Sequence, residues 1–353
     1  SWNSINNDSA SLLASSLYQN TTLEELSLIN NYIDLSGIKS LAQLLVMNAS
    51  LNILRVSWNQ IGDDGAKSLA EALQTPGCPL TVLDVASNKI GDVGCKQLFL
   101  AIAKNTRLTE LDLESNNLTD DALRHLGPLL QKNLIRKLLL AGNSFENDSA
   151  KAVAAALPYN ASLRTLSLSG KFSGEGTKQL FASLYRHGCL THLSLANCRI
   201  SDDQLKLMTP YLQSNCALTT LALNNNKIGV EGCKVLATAL EFDTSLTDLD
   251  LSSNKISDEG FKHLSLLLAK NFTIKSINFH QNKLSPESTT LAEQIYYYNQ
   301  ALVRLKGVMD REEFFQKTSG RQTNEVSYLY AGITAVPTQV FSYANMIKLV
   351  LFG

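Results

Sequence analysis

The chain has 353 residues, 44% hydrophobic and 18% charged, with a formal net charge of −1. That is ample apolar material for a packed core, so disorder is excluded as the default, and no global field points to nucleic acid or an anionic membrane. No run of about eighteen apolar residues exists to cross a bilayer, and the six cysteines form neither a CxxC pair nor a dense framework, which fits reduced, packed thiols in a cytosolic protein.

In chain order, the opening SWNSINNDSASLL lacks the basic and apolar regions of a signal peptide. SWNSI at 1–5 returns as SWNQI at 57–61. Between and beyond these echoes one pattern recurs: LEELSLINNYI from Leu23, LNILRVSWNQI from Leu51, LTVLDVASNKI from Leu80, LTELDLESNNL from Leu108 and IRKLLLAGNSF from Ile135. It continues as LTHLSLANCRI from Leu190, LTTLALNNNKI from Leu218, LTDLDLSSNKI from Leu246 and IKSINFHQNKL from Ile274, with a weaker copy, LRTLSLSGKF, from Leu163. Successive copies start 27 to 29 residues apart. The first half of each alternates, so Leu26 and Leu28 point one way and Ser27 the other, as a strand requires. The second half has helical spacing, as in GAKSLAEAL at 65–73, where Ala66, Leu69, Ala70 and Leu73 share a face. One such unit cannot bury its apolar face alone, whereas a stack forms a continuous core.

The pattern L-x-x-L-x-L-x-x-N-x-I in ten copies resembles the leucine-rich repeats of the ribonuclease-inhibitor-like class, which Ran GTPase-activating proteins and the sensor ends of NOD-like receptors also use. The resemblance covers residues 1–305. It implies an α/β solenoid, a curved horseshoe with parallel strands on the concave wall and helices on the convex wall. Ten strands at about 4.8 Å give an inner arc of roughly 50 Å. It also implies that Asn31, Asn59, Asn88, Asn116, Asn143, Asn226, Asn254 and Asn282 bond backbone groups in the turn after each strand, with Cys198 in the same slot. Gly37, Gly65, Gly94, Gly232 and Gly260 recur where the chain enters the helix, and Cys95 and Cys233 follow in a small buried slot.

The regularity breaks in two places. The copy at Leu163 is one residue short and lacks the asparagine, so a tightened turn with irregular inner-wall geometry is expected there. The last strand-like segment is LVRLKGV at 302–308. MDREEFFQKTSG then reads as a helix, with Asp310 and Glu313 at capping-box spacing, and 306–325 is a helix and connector. Residues 326–353 resemble the start of a second leucine-rich segment of shorter period. Both ends therefore read as interior points of a longer protein.

Catalytic constellations are poor: there is no Walker loop, no GxSxG and no HExxH, and the histidines are not spaced for a metal. No cofactor is implied. Acidic pairs at 63–64, 120–121 and 202–203 fall at helix starts, where carboxylates complement the helix dipole. Sequons at Asn20, Asn48, Asn160 and Asn271 share one repeat position, which argues for a turn role over glycosylation; others lie at Asn7, Asn117 and Asn147.

What remains is surface. The inner wall of the first half carries Arg55 beside an acidic set of Asp84, Glu110, Asp112 and Glu114, with Trp58 at the strand end and Trp2 two repeats before it. Neighbouring strands bring these side chains together, and aromatic and Arg residues are the usual hot spots. The reading is a non-enzymatic module that binds a protein with a basic face through its concave wall. It would work in the cytoplasm as a recognition or regulatory region of a larger protein, including a host cytoplasm if the source is a bacterial effector. Neither nucleic acid nor membrane is expected as a partner. A Ran GTPase-activating type of regulator is the alternative, but the loops at 29–37 and 57–65 lack the arginine that the resemblance would require. A ribonuclease inhibitor proper would be more acidic and richer in cysteine.

Overall fold

The computed structural model describes residues 3–214, 217–271 and 273–292. Trp2, the strand expected at 302–308, the helix and connector at 306–325 and the segment 326–353 lie outside the described residues. The described chain forms two compact units, one running to Ile200 and including Leu218, the other running from Ser201 and resuming at Thr219.

In the first unit, three-residue strands alternate with helices. The strands are β1 (Glu25–Ser27), β2 (Ile53–Arg55), β3 (Val82–Asp84), β4 (Glu110–Asp112), β5 (Lys137–Leu139), β6 (Thr165–Ser167) and β7 (His192–Ser194). The helices are α1 (Asn7–Ser16), α2 (Leu35–Met47), α3 (Gly62–Leu73), α4 (Asp92–Lys104), the short α5 (Asp120–Leu123) and α6 (Leu126–Gln131), α7 (Asn147–Ala156) and α8 (Gly174–His187). The second unit holds α9 (Asp202–Lys206), α10 (Thr209–Gln213), β8 (Thr220–Ala222), α11 (Val230–Leu240), β9 (Asp248–Asp250), α12 (Asp258–Lys270) and β10 (Ser276–Asn278). Within each unit the strands pair in parallel, in sequence order and without slippage: Leu26 faces Leu54, Leu54 faces Leu83, and so on to Leu166 facing Leu193. The second unit repeats this, with Leu221 facing Leu249 and Leu249 facing Ile277. These central leucines are buried, and the helices close over them with Leu41, Leu69, Leu98, Leu180 and Leu236. A one-residue slip would turn every such leucine to solvent, so register is strongly specified.

Side-chain amides tie consecutive repeats together. Asn59 donates from Nδ2 to the Leu28 and Val56 carbonyls, both at 3.0 Å, and accepts the Ile33 N–H at 2.9 Å. One buried amide thus serves backbone groups of two repeats. Asn116 does the same with Val85, Leu113 and Ile90. Cys198, in the same slot, places its thiol 3.6 Å from the Leu168 carbonyl. At the chain start, Asn31 accepts from Ile5 N–H at 2.9 Å, so the echo at 1–5 holds repeat geometry over its described part.

A second amide ladder uses three of the sequon asparagines, Asn48, Asn160 and Asn271, together with Asn105 at the same repeat position. Asn48 donates to the Leu17 and Asn20 carbonyls and accepts the Ser50 and Leu51 N–H groups. Asn105, Asn160 and Asn271 reach Leu73, Leu130 and Leu240 in the same way. Asn48, Asn160 and Asn271 are buried, which accounts for the shared sequon position by structure.

The helix-start carboxylates form a third ladder. Asp63, in the first turn of α3, accepts the Gly91 and Gly94 N–H groups at 2.6 and 3.0 Å and so caps α4 of the next repeat. Asp92, Asp120, Asp202 and Asp258 serve Thr119, Glu146, Gly229 and Ser285. The dipole reading holds, but the helix served is also the neighbour's. The glycines follow from this ladder: a Cβ on Gly94 would sit 2.7 Å from Asp63 Oδ1 and 2.9 Å from Asp63 Cα.

The repeat at Leu163 differs from expectation. Its strand β6 is in full register with both neighbours, so the wall is regular there. The missing residue is absorbed in the turn, where the Ser169 hydroxyl accepts the Gly142 N–H at 2.6 Å and Phe172 is buried.

Candidate functional site

The face of β1–β7 that points away from the helices carries the residues between the leucines. Register sets Arg55 beside Ser27 on one side and Asp84 on the other, and Asp84 beside Asp112. In the preceding row Val82, Glu110 and Lys137 are neighbours. At the strand spacing of about 4.8 Å, adjacent carboxylates cannot avoid one another.

Asp84 is buried. It accepts the Ser57 hydroxyl at 3.0 Å and the Ala86 N–H at 3.1 Å. Asp112 accepts the Glu114 N–H at 2.9 Å. Its pKa is pushed up to about 6, by burial first and then by the charges of Asp84 and Glu114; the N–H bond and Lys137 oppose the rise. Glu114 accepts the Ser167 hydroxyl at 2.7 Å, reaching past β5. Asp84, Asp112 and Glu114 therefore form one continuous patch, and among the described residues none of them has an ion-pair partner.

Arg55 and Glu110 stand differently from the expected cluster. Arg55 Nε bonds Glu25 Oε1 at 2.9 Å, toward β1 and away from the carboxylates. Glu110 lies 3.9 Å from Lys137 Nζ. Glu25, Ser57, Lys137 and Ser167 complete the site; their places between the leucines put them on the inner wall in the sequence, but not their bonds to Arg55, Asp84, Glu110 and Glu114. Writing the strands in register, column by column, sets Lys137 beside Glu110 and Glu25 one strand from Arg55. Part of the acidic pattern is local construction: Asp250, at the position of Asp84 and Asp112, accepts the Ser252 N–H and hydroxyl.

Trp58 has no such explanation. It is 62% exposed and has φ +58°. Its N–H donates to the Ala86 carbonyl at 2.9 Å, so the backbone is held there by the stack. The same left-handed slot holds Asn30, Ser87, Ser115, Gly142, Asn197, Asn225, Ser253 and Gln281 in the other repeats. Small or amide residues suit this conformation, and a bulky aromatic is an outlier in it. Trp2, its partner in the expected surface, lies outside the described residues.

The profile of the leucine-rich repeat family matches residues 19–42, 48–70, 78–99, 104–127, 214–237 and 242–265. This is a leucine-rich repeat protein. The unmatched stretch between 127 and 214 contains the turn without an asparagine and the broken helix pair α9 and α10. No curated protein matches the sequence. Among solved structures, leiomodin-1 actin-binding site 2 is similar at 21% identity and TM-score 0.35, over 41% of this chain and 82% of that one. A plant ice-binding protein is similar at 19% identity and TM-score 0.37, over 76% and 67%. The TLR13–ssRNA13 complex is similar at 21% identity and TM-score 0.45, over 76% and 37%. The chain is an α/β leucine-rich repeat solenoid, and among the described residues no helix is long and apolar enough to cross a membrane.

Proposed function

We propose that this leucine-rich repeat chain is a non-enzymatic protein-interaction module of the ribonuclease-inhibitor-like class, working in the cytoplasm. It binds a protein partner with a basic face through the strand face of its first unit. The observation that carries this reading is Trp58. The repeat does not require a tryptophan there, the backbone conformation penalises it, and it is held in solvent one repeat from carboxylates that form no ion pair among the described residues. An exposed tryptophan is the residue type most enriched at binding hot spots, and charged groups around it form the rim. Arg55, Asp84, Asp112 and Glu114 give the partner its register, and Glu110 forms the edge of the patch.

The test is affinity capture with the full chain, followed by the same capture with Trp58→Ala and with Asp84, Asp112 and Glu114 replaced by their amides. A partner that uses this face is captured at least about 30-fold more weakly by each variant, as for other hot spots. Its capture also weakens with salt. Equal capture by wild type and variants, with circular dichroism unchanged, overturns the reading.

A further inference from the structure

The net charge of −1 conceals a row of unpaired cations along one edge of the first unit. On one edge each helix hands over to the next strand. In four consecutive repeats this edge is formed by residues 103–109, 130–136, 157–164 and 185–191. These stretches contain no Asp or Glu and carry Lys104, Arg107, Lys132, Arg136, Arg164 and Arg186, all exposed. None of these six cations is in an ion pair among the described residues. Other cations in the same repeats do find carboxylates: Arg124, Lys137, Lys151, Lys171 and Lys178 pair with Asp121, Glu110, Asp148, Glu146 and Glu175.

Backbone bonds make the row contiguous. The Arg136 N–H donates to the Thr109 carbonyl at 2.7 Å, Arg164 N–H to Arg136 at 2.8 Å, and Thr191 N–H to Arg164 at 2.8 Å. Asn133 bridges neighbouring loops by accepting the Ala161 N–H and donating to the Tyr159 carbonyl. The field of Arg164 reaches His187 at the end of α8. Helix-dipole complementation accounts for Lys104 and Arg186, which sit in last turns, but not for Arg107, Arg136 and Arg164, which follow the helices. Tyr159 and Tyr185, 65% and 55% exposed, stand within the row.

We propose that this edge docks on an anionic phospholipid surface. Rows of cations with interspersed tyrosines match the chemistry of a lipid interface, where Tyr sits at headgroup level and each cation contributes about 1 kcal/mol. The opposite edge carries Asp92, Glu114, Asp120, Asp121, Glu146, Asp148 and Glu175 together with Lys89, Arg124, Lys151, Lys171 and Lys178, and four of those carboxylates are in ion pairs. A plane of negative charge attracts the edge whose cations are unpaired more than the edge whose charges offset one another, so it selects one orientation. A nucleic acid is favoured less, because single-strand binders line a groove with cations and aromatics, and here both lie along an edge. This inference is independent of the partner proposed for the strand face.

The experiment is co-sedimentation of the full chain with vesicles of phosphatidylcholine alone, or with phosphatidylserine added, at low and high salt. Binding is expected to the serine lipid only and to fall with salt. Replacing Arg107, Arg136 and Arg164 together by Gln lowers the partition coefficient on the order of a hundredfold, roughly fivefold per charge. If the triple variant does not fold, Arg136→Gln and Arg164→Gln singly are each expected to lose about fivefold. Replacing Lys39, Lys67 and Lys96 by Gln removes the same charge elsewhere and leaves binding unchanged. Overturning results are binding to neither vesicle, equal loss in the control triple, or retention of an oligouridine probe without vesicle binding.

Discussion

At the scale of single residues, Trp58 separates what the fold needs from what it tolerates. An L-residue in the left-handed region costs about 1–2 kcal/mol, and Gly or Asn escapes most of that. Trp58→Asn is therefore expected to raise the unfolding free energy by roughly 0.5–1 kcal/mol in urea titration while weakening partner capture. A loss of stability would mean that the indole packs in the fold. His187 is the converse case, a fold position filled by an imperfect residue. It occupies the buried slot that Asn48, Asn105, Asn160 and Asn271 hold in other repeats. Its Nδ1 lies 3.4 Å from the Cys189 nitrogen, but its Nε2 has no partner among the described residues. The asparagines donate at that point to the end of the preceding helix. His187→Asn should restore the bond and stabilise the chain by about 1 kcal/mol, read as a rise in Tm. Trp58 was legible as an anomaly because eight other repeats show what its slot prefers. The defect at His187 was not, because burial and an empty Nε2 appear only once the helix ends are in place.

At the scale of elements, the three ladders explain why short strands and irregular helices hold together. Each is a side chain of one repeat bonded to the backbone of the next. Gly94 tests the carboxylate ladder. Gly94→Ala places a methyl against Asp63 Oδ1 and Cα, so a loss of about 2–3 kcal/mol is expected by denaturant titration. Asp63→Ala alone frees two N–H groups of the next helix and costs about 1–2 kcal/mol. In the double variant the side-chain clash is gone but the approach to Asp63 Cα remains, so the losses sum to less than the two singles. Full additivity would show that Asp63 does not form the wall of the glycine site. The strands, their register and the first asparagine ladder were all readable from the repeat. The carboxylate ladder was half readable. The acidic residue marks a helix start, but only the stacking offset shows that it caps the helix of its neighbour. The short copy at Leu163 misled because a missing residue does not say whether strand or turn absorbs it; register with both neighbours forces the turn to yield.

At the scale of the whole molecule, charge is organised by row, and its sum hides this. The basic edge was present in the repeat columns around each strand start, yet a net charge of −1 gives no sign of it. The same cancellation governs pH dependence. Asp112 has its pKa raised to about 6, so the folded state holds its proton where the unfolded chain has released it. Stability from this group is present at low pH and is lost as pH rises from about 4 to 6. His187 has its pKa lowered to about 4, by burial and then by Arg164, so the unfolded chain takes up the proton first. Stability from this group is present above pH 6.5 and is lost as pH falls toward 4. Each shift corresponds to at most about 3 kcal/mol. The two lie in different repeats, share no contact and should add. The wild-type chain is therefore expected to show a shallow stability profile between pH 4 and 6.5. Asp112→Asn, which keeps the acceptor for the Glu114 N–H, should uncover a profile that falls on acidification. His187→Asn should uncover one that falls as pH rises from 4 to 6. Urea titrations of the three proteins across this range decide the matter: parallel profiles in all three would mean that neither group carries the shift assigned to it.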